Sequence, residues 1–223
     1  MNNYYSDRLN SYNLKRCYEI ASERIKQFLE AEIKYSLSKI NSQDRVLDLG
    51  CGYGRIAGRI AGNAKEVVGI DISKDNIDLA KRLFKSEGLY FFEMDAQELK
   101  FENNYFDVTL CLQNGISAFK IEPARLIKEA LRVTRQGGLV LVSTYSEKIW
   151  KERLNWFEKQ AEEGLLGEID YNLTRDGKIV CKDDFTAITF SKEEFLELAS
   201  KFAVGVQINE IDNSSLFCEL LKL

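Results

Sequence analysis

The chain contains no histidine. That removes the commonest general base, the commonest metal ligand, and every nucleophile system in which imidazole activates a serine or cysteine. Any acid–base step must use Asp, Glu, Lys, Tyr, Cys or water. Proline is almost as scarce, with Pro123 the single example. The 5 cysteines (Cys17, Cys51, Cys111, Cys181 and Cys218) are odd in number and form no CxxC pair, which excludes a disulfide framework or zinc ribbon and fits a reduced, cytoplasmic compartment. No run approaches the ~20 apolar residues that span a bilayer, so no membrane partner is expected. The opening MNNYYSDRLNSYN lacks the apolar stretch of a secretory signal. Positive charge is not in excess either. A net charge of −4 gives no large-scale attraction to nucleic acid and leaves only a local basic patch as a route to it.

What is present suits one domain with an elaboration. The 223 residues are 45% hydrophobic, enough to bury a core without disulfides. Residues 14–38 have helical three/four spacing through Leu14, Cys17, Tyr18, Ala21, Ile25, Phe28, Leu29 and Ile33, with Asn13 or Ser11 as cap. From 45 onward the period changes. Buried strands are predicted at 45–49, 66–71, 89–93, 106–111 and 139–144, and helices at 53–61, 75–86 and 123–133. Ser73 and Gly88 bound the second of these helices, and Pro123 sits at the start of the third, where its missing N–H costs little. Strand–helix alternation implies a parallel sheet with helices on both faces. Beyond 146 a charged helix is expected over 147–163, with Trp150, Leu154 and Phe157 on one stripe. A hairpin follows, in which 171–173 and 178–180 flank Thr174-Arg175-Asp176-Gly177. After a short strand at 185–190, Ser191 and Glu194 form a capping box for a helix to about Lys201. Strands near 203–211 and 215–222 close the sheet as an antiparallel pair. The fold class is therefore α/β: doubly wound, mostly parallel and seven-stranded, with an N-terminal helix and a small insertion before the last helix and strands.

The chemistry concentrates after the first strand. A strand, the glycine loop Gly50-Cys51-Gly52-Tyr53-Gly54 and a helix place backbone N–H groups at a helix start, with no Cβ to obstruct a ligand. Asp71 ends the next strand, 21 positions after Gly50. An acid there can accept hydrogen bonds from the ribose hydroxyls of an adenosine ligand. The spacing is not the dinucleotide GxGxxG, because Gly54 is followed by Arg55. Asp48, just before the loop, suits a cationic ligand better than a pyrophosphate.

The run Val46–Gly54 resembles the first motif of the class I S-adenosylmethionine-dependent methyltransferases. Val68–Ser73 resembles their acidic second motif, Met94-Asp95-Ala96 the third, and Phe106–Leu112 the fourth. Leu131-Arg132-Val133 through Gly137–Leu141 resembles the helix and strand that follow. The resemblance covers about 44–145 and implies the Rossmann-like methyltransferase fold, S-adenosyl-L-methionine as cofactor, and methyl transfer by in-line displacement to a small-molecule acceptor. It implies that Gly50, Cys51, Gly52 and Gly54 cradle the methionine end and that Asp48 orients the loop and favours the ammonium or sulfonium charge. It further implies that Asp71 holds the ribose with Ile72 against the adenine, that Asp95 and Ala96 read the adenine edge, and that Leu112 lies beside the sulfonium. No metal and no nucleophilic side chain are required. Residues 1–43 would form an N-terminal lid or extension of a methyltransferase domain over 44–223, and 146–190 would cover the acceptor.

Each residue also has a plainer reading. Asp48 can bond its own turn, Asp71 can cap the next helix, and Cys51 and Cys111 can be small buried fillers. Gln113 and Asn114 are positional candidates for the acceptor side; Asn114 either binds the acceptor or pins the loop. The run Leu112-Gln113-Asn114-Gly115 lacks the Asn/Asp-Pro-Pro-aromatic pattern of enzymes that methylate exocyclic base amines. Tyr4, Tyr5, Tyr12 and Tyr18 belong to a lid, or Tyr18 packs at a helix interface and the others stay loose. Trp150, Trp156 and Phe157 read as packing rather than as an aromatic cage. Three rival functions remain: an RNA or protein methyltransferase, a nicotinamide-dependent oxidoreductase, and a non-catalytic cofactor-binding module.

Overall fold

The computed structural model describes Tyr4 and residues 8–223, so Tyr5 lies outside the described residues. A seven-stranded sheet forms its centre, in the order β3-β2-β1-β4-β5-β9-β8. The strands are β1 (Arg45–Leu49), β2 (Glu66–Asp71), β3 (Leu89–Glu93), β4 (Phe106–Cys111), β5 (Thr134–Tyr145), β8 (Val204–Ile211) and β9 (Ser215–Lys222). β1 to β5 run parallel, and β9 is antiparallel to both its neighbours. Val46 to Leu49 are all buried, as expected of a central strand covered on both faces. One face carries α6 (Pro123–Val133) and α8 (Lys192–Ala199) over Leu47, Leu49, Val140 and Val142. The other carries α2 (Glu23–Leu37), α3 (Arg55–Ile60) and α4 (Lys74–Leu83) over Val46, Val67, Val108 and Leu110.

Several boundaries follow from capping. Ser73 accepts from the Asn76 N–H and starts α4, and the Ser191/Glu194 capping box starts α8. The predicted single helix over 14–38 is two. α1 spans Ser11–Glu19, and α2 begins at Glu23 because Ser22 turns extended and its hydroxyl accepts from the Ile25 N–H. Neither Ser11 nor Asn13 caps α1; its N-cap is Asn10, without a side-chain bond. β5 is longer than predicted and starts at Thr134, across a bulge opposite Phe106–Val108. The short helix α5 (Gly115–Ala118) follows β4.

The insertion holds α7 (Trp150–Glu162) and a small sheet of β6 (Ile179–Val180) and β7 (Thr186–Ala187). Asp176 and Gly177 have φ of 52° and 76°, the turn expected from Asp-Gly. The strand pairing differs from expectation: β6 pairs with β7, and residues 171–173 form a turn while Ile169 bridges to Cys181. The buried face of α7 carries Arg153, Trp156, Phe157 and Gln160, with Trp150 and Leu154 only half-buried. Arg153 donates to the carbonyls of Gly177 (2.7 Å) and Ala187 (3.1 Å), which ties the hairpin to α7. A third core joins this insertion to the N-terminal helices: Leu9, Cys17, Ile25 and Phe28 pack with Trp156, Phe157, Leu166 and Phe185. No described helix is long and apolar enough to cross a membrane.

Candidate functional site

The glycine loop leaves β1 with Gly50, Gly52 and Gly54 at φ of 69°, 54° and 85°. Gly54 is required for two reasons. Its backbone is left-handed, and a Cβ would stand 2.8 Å from the Phe91 ring and 3.0 Å from Ala80. It seats the start of α3 against β3 and α4 and does not line the cavity below. Most N–H groups of the loop are already bonded: Cys51 to the Ile70 carbonyl (2.8 Å), Gly52 to Asp71 Oδ2 (2.9 Å), Gly54 to the Cys51 carbonyl (2.9 Å).

A cavity of about 170 Å³ lies against this loop. Gly50, Cys51, Gly52, Tyr53 and Asp48 form one wall, the N-terminal Leu9, Leu14, Cys17 and Tyr18 a second, and the insertion's Trp156, Phe157, Gln160 and Phe185 a third. It is smaller than the roughly 300–1,000 Å³ of ligand clefts. Leu14 contributes to this: its side chain sits 2.8 Å from where a Gly52 Cβ would be.

Three polar groups on the cavity wall are buried without a partner: Asp48 Oδ2, Gln113 Nε2, and Nε with Nη2 of Arg55. Burial pushes the Asp48 carboxyl up to about 7; the Ala57 N–H and Arg55 pull it down only partway, and Asp71 adds to the rise. Arg55 lies 4.8 Å over the Tyr18 ring, a cation–π contact, and its Nε and Nη2 make no hydrogen bond. An unpaired buried polar group costs about 1–3 kcal/mol, more when charged. Asp48 and Arg55 therefore each keep hydrogen-bonding capacity on one cavity wall that the fold does not use.

The other expected residues divide. Asp71 lines the cavity, and its carboxylate accepts from Gly52 N–H, Ser73 N–H (2.8 Å) and Asn76 Nδ2 (3.2 Å). It braces two turns, and a carboxylate has about four acceptor positions, so one stays open. Burial raises its pKa against these three bonds. Ile72, half exposed, and Leu112, buried, both line the cavity. Asp95 and Ala96 do not. Asp95 is exposed and accepts from the Gln97 N–H at 2.8 Å, a local turn, while Ala96 packs into the core. Gln113 and Asn114 are consecutive left-handed residues, φ 54° and 62°, at the end of β4. Gln113 faces the cavity. Asn114 pins the loop: its amide donates to Ser117 Oγ (2.7 Å) and the Ile188 carbonyl (2.8 Å), and accepts from Thr144 Oγ1 (2.7 Å). Of the tyrosines, Tyr4 donates to Asp183 (2.6 Å), Tyr12 is exposed, and Tyr18 donates to Gln113 Oε1 (2.9 Å).

Two residues escaped the sequence reading. Arg55 marked only a departure from the dinucleotide pattern, although a cation next to the glycine loop was a visible signal. Glu32 is fully buried on α2, with Ser215 Oγ donating to Oε1 at 2.6 Å and Oε2 unpartnered. Burial lifts its carboxyl to about 7 against the Ser215 and Ser143 hydroxyls, Arg55 and the Gln113 N–H. Ser143 Oγ in turn accepts from the Gln113 N–H at 2.8 Å, so Glu32 sits behind the strained turn. Helical spacing marked Leu29 and Ile33 as inward, but no rule of periodicity predicts a buried acid between them.

Sheet order and glycine loop together define a doubly wound α/β fold with a cavity at the carboxyl end of β1. Residues 46–138 match the family described as "Methyltransferase domain". The chain is 28% identical over 138 residues to the fatty-acid O-methyltransferase of Mycolicibacterium smegmatis, covering 61% of this chain and 44% of that protein. It spans about half the length, or slightly less, of the curated relatives it matches. A SAM-dependent methyltransferase of Methanosarcina mazei superposes with a TM-score of 0.62 at 23% identity, covering 83% of this chain and 95% of that one. The [4+2]-cyclase SpnF superposes with a TM-score of 0.61 at 18% identity, covering 85% and 80%. One fold thus carries differently named activities, and the site must decide between them.

Proposed function

We propose that this chain is an S-adenosylmethionine-dependent methyltransferase acting on a small molecule. The carrying observation is that Asp48 Oδ2 and the Nε and Nη2 of Arg55, on one wall of the glycine-loop cavity, lack hydrogen-bond partners. They fit a ligand end that is itself a zwitterion: ammonium towards Asp48, carboxylate towards Arg55. A cation beside Asp48 favours its ionised form, which burial alone disfavours. A nicotinamide dinucleotide fits worse, because its anionic pyrophosphate would meet both Asp48 and Asp71.

In this reading Gly50, Cys51 and Gly52 flank the methionine end, Asp71 and Ile72 take the ribose and adenine, and Leu112 forms the floor. Asp95 and Ala96 meet the adenine only after the cavity extends past Ile72. The cofactor would supply a methyl group on a positively charged sulfur, a good leaving group. The residues then mainly bind, align and exclude water, and alignment alone supplies roughly 7–11 kcal/mol of barrier lowering. Residues 1–43 act as a lid and 146–190 as the acceptor cover, supported by their shared core. Buried, unpaired cysteines at 17, 51, 111, 181 and 218 agree with work in a reducing cytoplasm.

Titration calorimetry with S-adenosylhomocysteine and with NAD tests the cofactor. Binding of the first and not the second is expected; the reverse overturns the reading. Methyl-labelled cofactor incubated with a cell extract should then label the small-molecule fraction. Label confined to macromolecules would move the acceptor to RNA or protein, and binding without transfer would make the chain a cofactor-binding module.

A further inference from the structure

We infer that the acceptor is an uncharged, aromatic hydroxyl compound held between α1 and the insertion. This rests on the methyltransferase reading and adds the acceptor's chemistry to it. The cavity's charged lining residues are Asp48, Arg55 and Asp71, all on the glycine-loop side. The opposite side is Leu9, Cys17, Tyr145, Trp156, Phe157 and Phe185. Two side-chain donors there are already engaged: Trp156 Nε1 donates to the Cys17 carbonyl at 2.8 Å, and Gln160 Nε2 to the Trp156 carbonyl at 3.3 Å. Burial pushes the Cys17 thiol up to about 12, so it stays neutral. An ammonium bound here would find no carboxylate. Behind the wall, the Arg153 guanidinium lies 4.5 Å over the Tyr145 ring and adds positive potential, which disfavours a cation further. A flat apolar body would meet the rings of Tyr145, Trp156, Phe157 and Phe185 instead.

The Gln113 side-chain amide offers a donor to an acceptor oxygen. Gln113 Nε2 is unpartnered at the cavity, with its amide oriented by Tyr18 through Oε1. It would donate to the hydroxyl oxygen and hold it beside Leu112. In the transfer, a lone pair of that oxygen forms the new O–C bond, the C–S bonding pair passes to sulfur, and the hydroxyl proton leaves to water.

Calorimetry on the full chain saturated with S-adenosylhomocysteine, using naphthol, naphthylmethylamine and naphthalenesulfonate, tests this. Naphthol should bind at least about tenfold more tightly than either charged probe, the scale of one satisfied hydrogen bond plus an avoided buried charge. Charged probes binding as well as naphthol, while S-adenosylhomocysteine binds normally, would overturn the acceptor class and leave the methyltransferase reading intact. Failure of S-adenosylhomocysteine itself would instead remove that reading. Gln113→Glu, nearly isosteric, should weaken naphthol about tenfold and improve naphthylmethylamine, with an unchanged circular-dichroism melt as the folding control. An unaltered probe preference in the folded variant removes Gln113 and with it the proposed pose.

Discussion

Asp48→Asn separates stability from binding. The Asp48 carboxyl is held at about 7 from an ordinary 3.8, chiefly by burial. A carboxyl whose folded pKa is raised makes the folded state bind more protons than the unfolded one. Stability therefore falls as pH rises through the window from about 4 to 7 and is flat above it. Each pKa unit is about 1.4 kcal/mol, so the fall between pH 5 and pH 8 is on the order of 3 kcal/mol for Asp48 alone. Asparagine does not titrate, and Glu32 contributes equally to both proteins. The variant's advantage should therefore be about 3 kcal/mol larger at pH 8 than at pH 5, or roughly 6–12 °C in Tm for a chain of this size. Affinity for S-adenosylhomocysteine should move the other way and weaken about 10- to 100-fold, the loss of a charged hydrogen bond. Paired melts by circular dichroism and titrations by calorimetry read both quantities. A variant whose Tm difference does not change with pH, or which binds as tightly as the parent, refutes the assignment of Asp48 as a buried charge awaiting a cation.

Glu32→Gln should give a similar signature in melting, because Glu32 is raised from 4.5 to about 7 by burial: the variant's advantage grows by about 3 kcal/mol from pH 5 to pH 8. An advantage that shrinks with pH would mean that Glu32 is stabilised as an anion. Gly54→Ala should cost about 2–4 kcal/mol in chemical denaturation, from the left-handed backbone and the close Phe91 ring together; a loss below about 1 kcal/mol would show that the loop moves freely to accept a Cβ.

Much of the frame was legible in the chain. β3 at 89–93, β4 at 106–111 and the helix opening at Pro123 fall where periodicity and punctuation place them. The Ser73 cap and the Ser191/Glu194 box are local bonds, which local sequence encodes. Errors arose where a distant partner decides. Residues 171–173 are apolar and polar in alternation, yet the strand that meets β6 is Thr186–Ala187, and only three-dimensional packing selects it. The break at Ser22 depends on a single hydroxyl interrupting an otherwise continuous apolar stripe. In the site, the glycines, Asp48 and Asp71 announce themselves by spacing. The state of Arg55 and Gln113, buried but unpaired, depends on what surrounds them and has no linear signature. For Asn114, the three side-chain bonds that hold it against Ser117, Ile188 and Thr144 come from residues up to 74 positions away and have no local signature.

The contact of Leu14 with Gly52 gives the N-terminal helix a second character. Ser11 N–H also donates to Asn76 Oδ1, whose amide nitrogen donates to Asp71. The helix thus rests on the groups proposed to receive the cofactor, and so behaves as an intramolecular competitor for them. Tethered by a short segment, such a competitor acts at a millimolar-scale local concentration. The apparent Kd is then the intrinsic Kd divided by the fraction of molecules in which the Leu14 side chain has swung away from Gly52. Cofactor affinity can consequently be tuned from α1 itself: trimming the Leu14 side chain tightens binding, and anything that holds it on Gly52 loosens it.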